Sequence, residues 1–179
     1  MTSCGGGSTG PSPLASYDHA LAASDSSHAA LVEKGSATEA SAVRRFIDFY
    51  RTYRSDVIRA HVRDVYANDV YFRDPFHEVQ GIDAAEAYFV RSTESIAECR
   101  FDISDWAEHD GNYYFRWVMH LRTKRDPEGP PIEGVGMSHV RFDRSGKVLF
   151  QQDYWDAAST VYERIPVVGW MLRKIRNRI

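Results

Sequence analysis

The chain has 179 residues, enough for one domain with a sizeable core, and its 43% hydrophobic and 13% aromatic content marks it as globular rather than disordered or fibrous. A formal net charge of -3 argues against a dedicated nucleic-acid binder. The charge is uneven: Arg164 to Ile179 carries five basic residues and no acidic one, leaving 17 of the 22 basic residues to face all 25 acidic ones elsewhere.

Met1 to about Thr38 is rich in Gly, Ser, Ala and Pro and reads as a flexible tail, with room for a short helix between Leu14 and Lys34. It lacks the basic start and apolar run of a signal peptide, and no stretch of the chain approaches bilayer length. Cys4 lies in this tail and Cys99 is the only other cysteine, so a structural disulfide is not expected. No His/Cys cluster has zinc spacing. The expectation is a cytoplasmic protein with reduced thiols and no metal.

Order begins near Glu39, where Val43, Phe46, Ile47 and Tyr50 form a helical stripe. A second helix is expected over Asp56 to Ala67, capped by Ser55, with Ile58, Val62, Val65 and Tyr66 on one side. A short strand, Val70 to Asp74, ends at Pro75. A third helix, from about Asp83 to Ala97, lines up Ala85, Tyr88, Phe89 and Ile96. The period then changes to two. Strands are expected over Arg100 to Glu108, Tyr113 to Arg122, Ile132 to Phe142 and Lys147 to Trp155, with hairpin turns at His109 to Asn112 and Asp143 to Gly146. Helices followed by an antiparallel sheet make an α+β domain over 39–158, and a curved sheet folded over helices leaves a pocket. Residues 159–179 read as a basic amphipathic C-terminal helix. Its stripe of Val168, Met171, Leu172, Ile175 and Ile179 can pack on the domain, on a second subunit or on an anionic membrane surface.

Asp74 is the candidate for chemistry. Strand parity puts Val70, Phe72 and Asp74 on one face, which is the apolar and therefore buried one, and Arg73 on the other. Desolvation raises a carboxyl pKa toward the range of a general base. The same residue can instead cap the following turn or pair with a buried partner. Asp153 shares a face with Trp155 and is a candidate second pocket carboxylate, while His77 sits in the loop after Pro75.

Arg45-Phe46-Ile47-Asp48, Tyr66-Ala67-Asn68-Asp69, Phe72-Arg73-Asp74-Pro75-Phe76, Gly81, Phe115-Arg116, Val140-Arg141-Phe142-Asp143, Gly146-Lys147-Val148 and Tyr154-Trp155 keep the order of motifs seen in the nuclear transport factor two-like superfamily. Across about Ala40 to Asp156 the chain resembles its ketosteroid isomerases and SnoaL-like polyketide cyclases most. The resemblance implies a cone-shaped curved antiparallel sheet packed on three helices, with Asp74 at the position of the proton-moving carboxylate. Phe46 and Ser138 stand where ketosteroid isomerases carry an oxyanion-binding tyrosine and aspartic acid. Ser138 can donate a hydrogen bond and Phe46 cannot, so Tyr50 or Tyr66 is the candidate replacement donor. The pocket wall is expected to include Phe46, Tyr66, Phe72 and Tyr88, with Phe115, Trp117, Met119 and Trp155 from the sheet. His120 and His139 fall on the outer face, where relatives often dimerise, and a homodimer is expected. Two functions follow. One is an isomerase, cyclase or dehydratase that needs no cofactor, with Asp74 as base and Ser138, Tyr50 or Tyr66 steadying an enolate. The other is a non-catalytic protein that binds an apolar ligand and docks through its basic tail.

Overall fold

A computed structural model describes Ser12, residues 14–164, and Trp170, Met171, Lys174, Ile175 and Arg178. In chain order the elements are helices α1 (Ala15–Ala23), α2 (Ala37–Arg51) and α3 (Ser55–Val65), strands β1 (Tyr66–Arg73) and β2 (Glu78–Gln80), and helix α4 (Ile82–Ser92). Strands β3 (Ile96–His109), β4 (Asn112–Thr123), β5 (Ile132–Phe142) and β6 (Val148–Trp155) follow, then α5 (Ala157–Thr160) and a 3-10 turn, Tyr162–Arg164. The strands form one curved, unclosed sheet in the order β2-β1-β6-β5-β4-β3. Its pairings are antiparallel except β1 with β6, which run parallel with Tyr71 beside Phe150 and Arg73 beside Gln152.

The concave face of the sheet holds the core. On β4, Tyr113, Phe115, Trp117 and Met119 are buried there, while Arg116, Val118 and His120 take the outer face. Helices α2, α3 and α4 lay their apolar stripes against this layer through Phe46, Ile58, Val62 and Phe89, among others. Each such fully buried large side chain contributes roughly 1.5–3 kcal/mol. Helix α2 starts at a reciprocal cap. Ser36 accepts from the Glu39 N–H at 3.1 Å, and the Glu39 carboxylate reaches back to the Gly35 N–H at 2.6 Å. The β3–β4 hairpin turns at Asp110 and Gly111, whose φ angles of 50° and 75° suit a tight two-residue turn.

Four local expectations are corrected. Tyr66 starts β1 instead of closing a helix, because α3 ends at Val65, and Ser55 lies inside α3, whose N-cap is Arg54. Helix α4 stops at Ser92, so Ile96 belongs to β3. The short strand β2, unforeseen, pairs with β1 beyond the Pro75 turn. The flexible tail to residue 38 is wrong for Ala15 to Ser36. There α1 lies on the outer face of the sheet, packing Ala20, Tyr17 and Leu21 against Tyr71 and Phe150, and Val32 enters the core. Arg141 secures α1 by donating to the Leu21 carbonyl at 2.6 Å and to Ser24 Oγ at 3.1 Å. On the same outer face His139 is buried against the rings of Tyr114 and Phe150, while His120 lies between Asp102 at 2.9 Å and Glu133 at 3.1 Å. The expected C-terminal helix and its membrane contact fall mostly outside the described residues, as does Cys4. No described helix is long and apolar enough to cross a membrane.

Candidate functional site

A cavity of about 530 Å3 lies between the concave face of the sheet and helices α2 and α4. That volume is typical of small-molecule sites. Aromatic rings line much of it: Tyr50 near the end of α2, Tyr53 in the link after it, Phe72 on β1, Tyr88 and Phe89 on α4, Phe101 on β3, Trp117 on β4 and Trp155 on β6.

Two carboxylates reach this space. Asp74 stands one residue past β1, where Pro75 ends the strand. Its Oδ1 accepts the backbone N–H groups of Phe76 and His77, each at 2.8 Å, and its Oδ2 accepts the Tyr88 hydroxyl at 2.5 Å. Asp74 is therefore both a turn cap and a cavity residue. Asp153 comes from β6 on the same face as Gln151 and Trp155. Its Oδ1 accepts from Ser138 Oγ at 2.6 Å and from Gln151 Nε2 at 2.8 Å, and Oδ2 has no hydrogen-bond partner among the described residues. Burial pushes the Asp153 carboxyl up to about 7, against the pull of the Ser138 and Gln151 hydrogen bonds and with help from the negative charge of Asp74. Asp153 keeps some accessible surface because it lines the cavity, yet protein atoms surround it closely enough for desolvation to dominate.

Behind Asp153 lies a closed ring of hydrogen bonds. Tyr66 donates to Gln151 Oε1 at 2.8 Å, so the 2.7 Å contact between Tyr50 and Tyr66 requires the hydrogen of Tyr50. Gln151 Nε2 completes the ring by donating to Tyr50 at 2.9 Å. Burial raises both phenols well above their ordinary pKa. Ser138 spends its hydrogen on Asp153 and accepts from Trp117 Nε1 at 3.0 Å. Tyr53 differs. Its hydroxyl lies 3.2 Å from Ser92 Oγ, whose own hydrogen goes to the Phe89 carbonyl at 2.7 Å, so Tyr53 is the donor in a long bond.

Of the residues singled out in the sequence, Asp74, Tyr50, Phe72, Tyr88, Trp117, Met119 and Trp155 line the cavity. Phe46, Tyr66 and Phe115 do not: each is fully enclosed in the core, because helices α2 and α3 close over that end of the sheet. Ser138 stands behind Asp153, outside the cavity wall. The near-neutral carboxyl is Asp153, which the sequence offers only as a second pocket carboxylate beside Asp74. Tyr53 and Phe101 were missed. Alternation along β3 through Cys99, Phe101 and Ile103 carries a signal for Phe101, whereas Tyr53 sits in a link with no period.

The SnoaL-like domain matches residues 43–150. Among solved structures, the chain is similar to a protein from Shewanella denitrificans provisionally assigned as a SnoaL-like polyketide cyclase, at 18% identity and a TM-score of 0.58 over 74% of this chain and 99% of that one. It is similar to an NTF2-like protein of unknown function from Burkholderia pseudomallei, at 17% identity and a TM-score of 0.58 over 70% and 96%. A third is an LEH-like epoxide hydrolase of M. tuberculosis, at 13% identity and a TM-score of 0.53 over 69% and 86%. At these identities the likeness is one of fold. No curated protein matches the chain.

Proposed function

Because the chain belongs to the SnoaL-like domain family, whose fold holds small molecules, we propose that it is a proton-transfer enzyme of the isomerase, cyclase or dehydratase kind, acting next to the carbonyl of an apolar substrate. One similar structure is named an epoxide hydrolase, so the scaffold alone does not choose the chemistry. The observation that carries the reading is Asp153: a buried carboxyl near neutrality, facing an aromatic cavity, with one oxygen uncommitted.

In this mechanism Asp153 Oδ2 takes a proton from the carbon beside the carbonyl. The C–H electrons move into the new C=C bond and the carbonyl oxygen becomes an enolate. Asp153 then returns the proton to another carbon. Tyr50, Tyr66 and Ser138 have their hydrogens committed to internal partners, so Tyr53 takes over the enolate. Its 3.2 Å bond to Ser92 is the weakest of the hydroxyl bonds around the cavity and is the least costly to re-aim. Burial keeps Asp153 from ionising too readily, and the negative charge of Asp74, hydrogen-bonded to Tyr88, adds to that effect.

Solvent deuterium exchange into decalone, followed by NMR, tests this. Asp153→Asn is expected to slow exchange at least about a hundredfold. Tyr53→Phe should slow it roughly a hundredfold as well, with KM little changed. The base is the ionised form, so the wild-type rate should climb with pH and level off above about 7. Equal exchange by wild type and Asp153→Asn sinks the enzymatic reading. It would leave the second one, a ligand-binding cavity without chemistry, which is favoured by the internal satisfaction of the Tyr50–Tyr66–Gln151 ring.

A further inference from the structure

We infer that the ligand of this cavity is amphipathic: a flat apolar ring system seated among the aromatic walls, with an anionic group held at the rim by Arg91. The inference rests on the reading of the cavity as a small-molecule site and not on catalysis.

Arg91 belongs to the last turn of α4, is exposed, and lines the cavity. Its guanidinium lies over the Tyr88 ring, 5.9 Å from the centroid, and it has no carboxylate partner or side-chain hydrogen bond among the described residues. The imidazole of His77, also exposed and lining the cavity, packs on the same ring with centroids 4.8 Å apart. Tyr88 is itself fixed by its hydroxyl bond to Asp74. One anchored ring thus carries both basic groups at the opening. A cation in a last helical turn also offsets the helix dipole. That accounts for Arg91 being on α4, but not for its place at the opening beside a second basic side chain. Arg63, Arg116 and Arg122 show the usual alternative, since each pairs with a neighbouring carboxylate.

Polarity then fixes the orientation of the ligand. The interior offers aromatic surface and the enclosed carboxyl of Asp153, which disfavours an anion there, and the one carboxylate near the opening, Asp74, is already taken up by three donors. The opening offers a guanidinium free to make charge-assisted hydrogen bonds. A carboxylate or sulfonate therefore belongs at the opening, and the ring system points inward toward Asp153.

Two dyes with the same ring skeleton separate the possibilities: anilinonaphthalene sulfonate and the neutral phenylnaphthylamine, each titrated by fluorescence. The sulfonate is expected to bind about fivefold tighter. Arg91→Gln should erase that preference while leaving the neutral dye unchanged. Arg44→Gln, an exposed cation away from the cavity, should alter neither. Equal affinity of the wild type for both dyes, or a preference that survives Arg91→Gln, overturns the anionic rim and leaves the cavity reading standing. Binding of neither dye overturns both. Loss of exchange activity in Asp153→Asn bears on the catalytic reading alone.

Discussion

A buried carboxyl held at about 7 and a buried imidazole held at about 4 pull the pH dependence of stability in opposite directions. Between about pH 4 and 7, folded Asp153 keeps a proton that the unfolded chain has released. Stability therefore falls as pH rises, by about 4 kcal/mol once Asp153 is ionised. His139 is depressed chiefly by burial and then by the charge of Arg141. Between its ordinary 6.5 and about 4, the unfolded chain binds a proton that the folded one refuses. Stability then falls as pH drops, by about 3 kcal/mol. Over the shared window the two effects largely cancel. Asp153→Asn removes one of them, so its urea midpoint should rise with pH from about 4 to 6.5 and should exceed that of the wild type above pH 7. A midpoint no higher than wild type above pH 7 would show that Asp153 is not buried as described.

At the scale of the element, β5 gives way to let β4 build the site. A Cβ added at Gly136 would lie 2.2 Å from the ring of Trp117, so the indole crosses β5 only because Gly136 has no side chain. That placement lets Trp117 Nε1 reach Ser138, which holds Asp153. Gly136→Ala should destabilise the fold by about 2 kcal/mol and shift the tryptophan emission, both read in one urea titration. An unchanged emission would mean that the indole is not held there. The strands themselves were legible. The expected Ile132 to Phe142 is the observed β5, and the alternation of Phe115, Trp117 and Met119 with His120 is the signature of a half-buried strand. Tyr66 was not legible, because Val62, Val65 and Tyr66 continue a helical spacing past the point where the backbone becomes extended. Asp74 and Asp153 look alike in sequence, each beside aromatic residues at a strand end. What separates them is three donors around one, two of them from its own turn and the third from Tyr88 on α4, and enclosure of the other, and neither the Tyr88 bond nor the enclosure can be read from the local sequence.

For the whole molecule, the N-terminal segment behaves as part of the domain. Its helix α1 has a weak pattern of its own and depends on Arg141, 120 residues away from Leu21 in sequence. Arg141 also donates to Asn112 Oδ1 at 2.8 Å and lies 5.8 Å from the Phe150 ring centroid. Arg141→Ala should lower stability by about 3 kcal/mol, since three hydrogen bonds of a charged donor are lost together. It should also expose residues 24–31 to limited proteolysis, detected by mass spectrometry. Resistance equal to wild type would show that α1 is held by other contacts.

The parallel pairing of β1 with β6 has a consequence for how the molecule comes into being. Continuing its register one residue beyond Arg73 and Gln152 brings Asp74 alongside Asp153. Everything between those strands is a single loop of chain, and closing a loop of about 80 residues costs roughly 4 kcal/mol of entropy, which local contacts do not repay. Hairpins such as β3–β4 can form early, but the two carboxylates meet only when this seam shuts. A nascent or partly unzipped chain can thus keep most of its secondary structure and still have an ordinary aspartate at position 153.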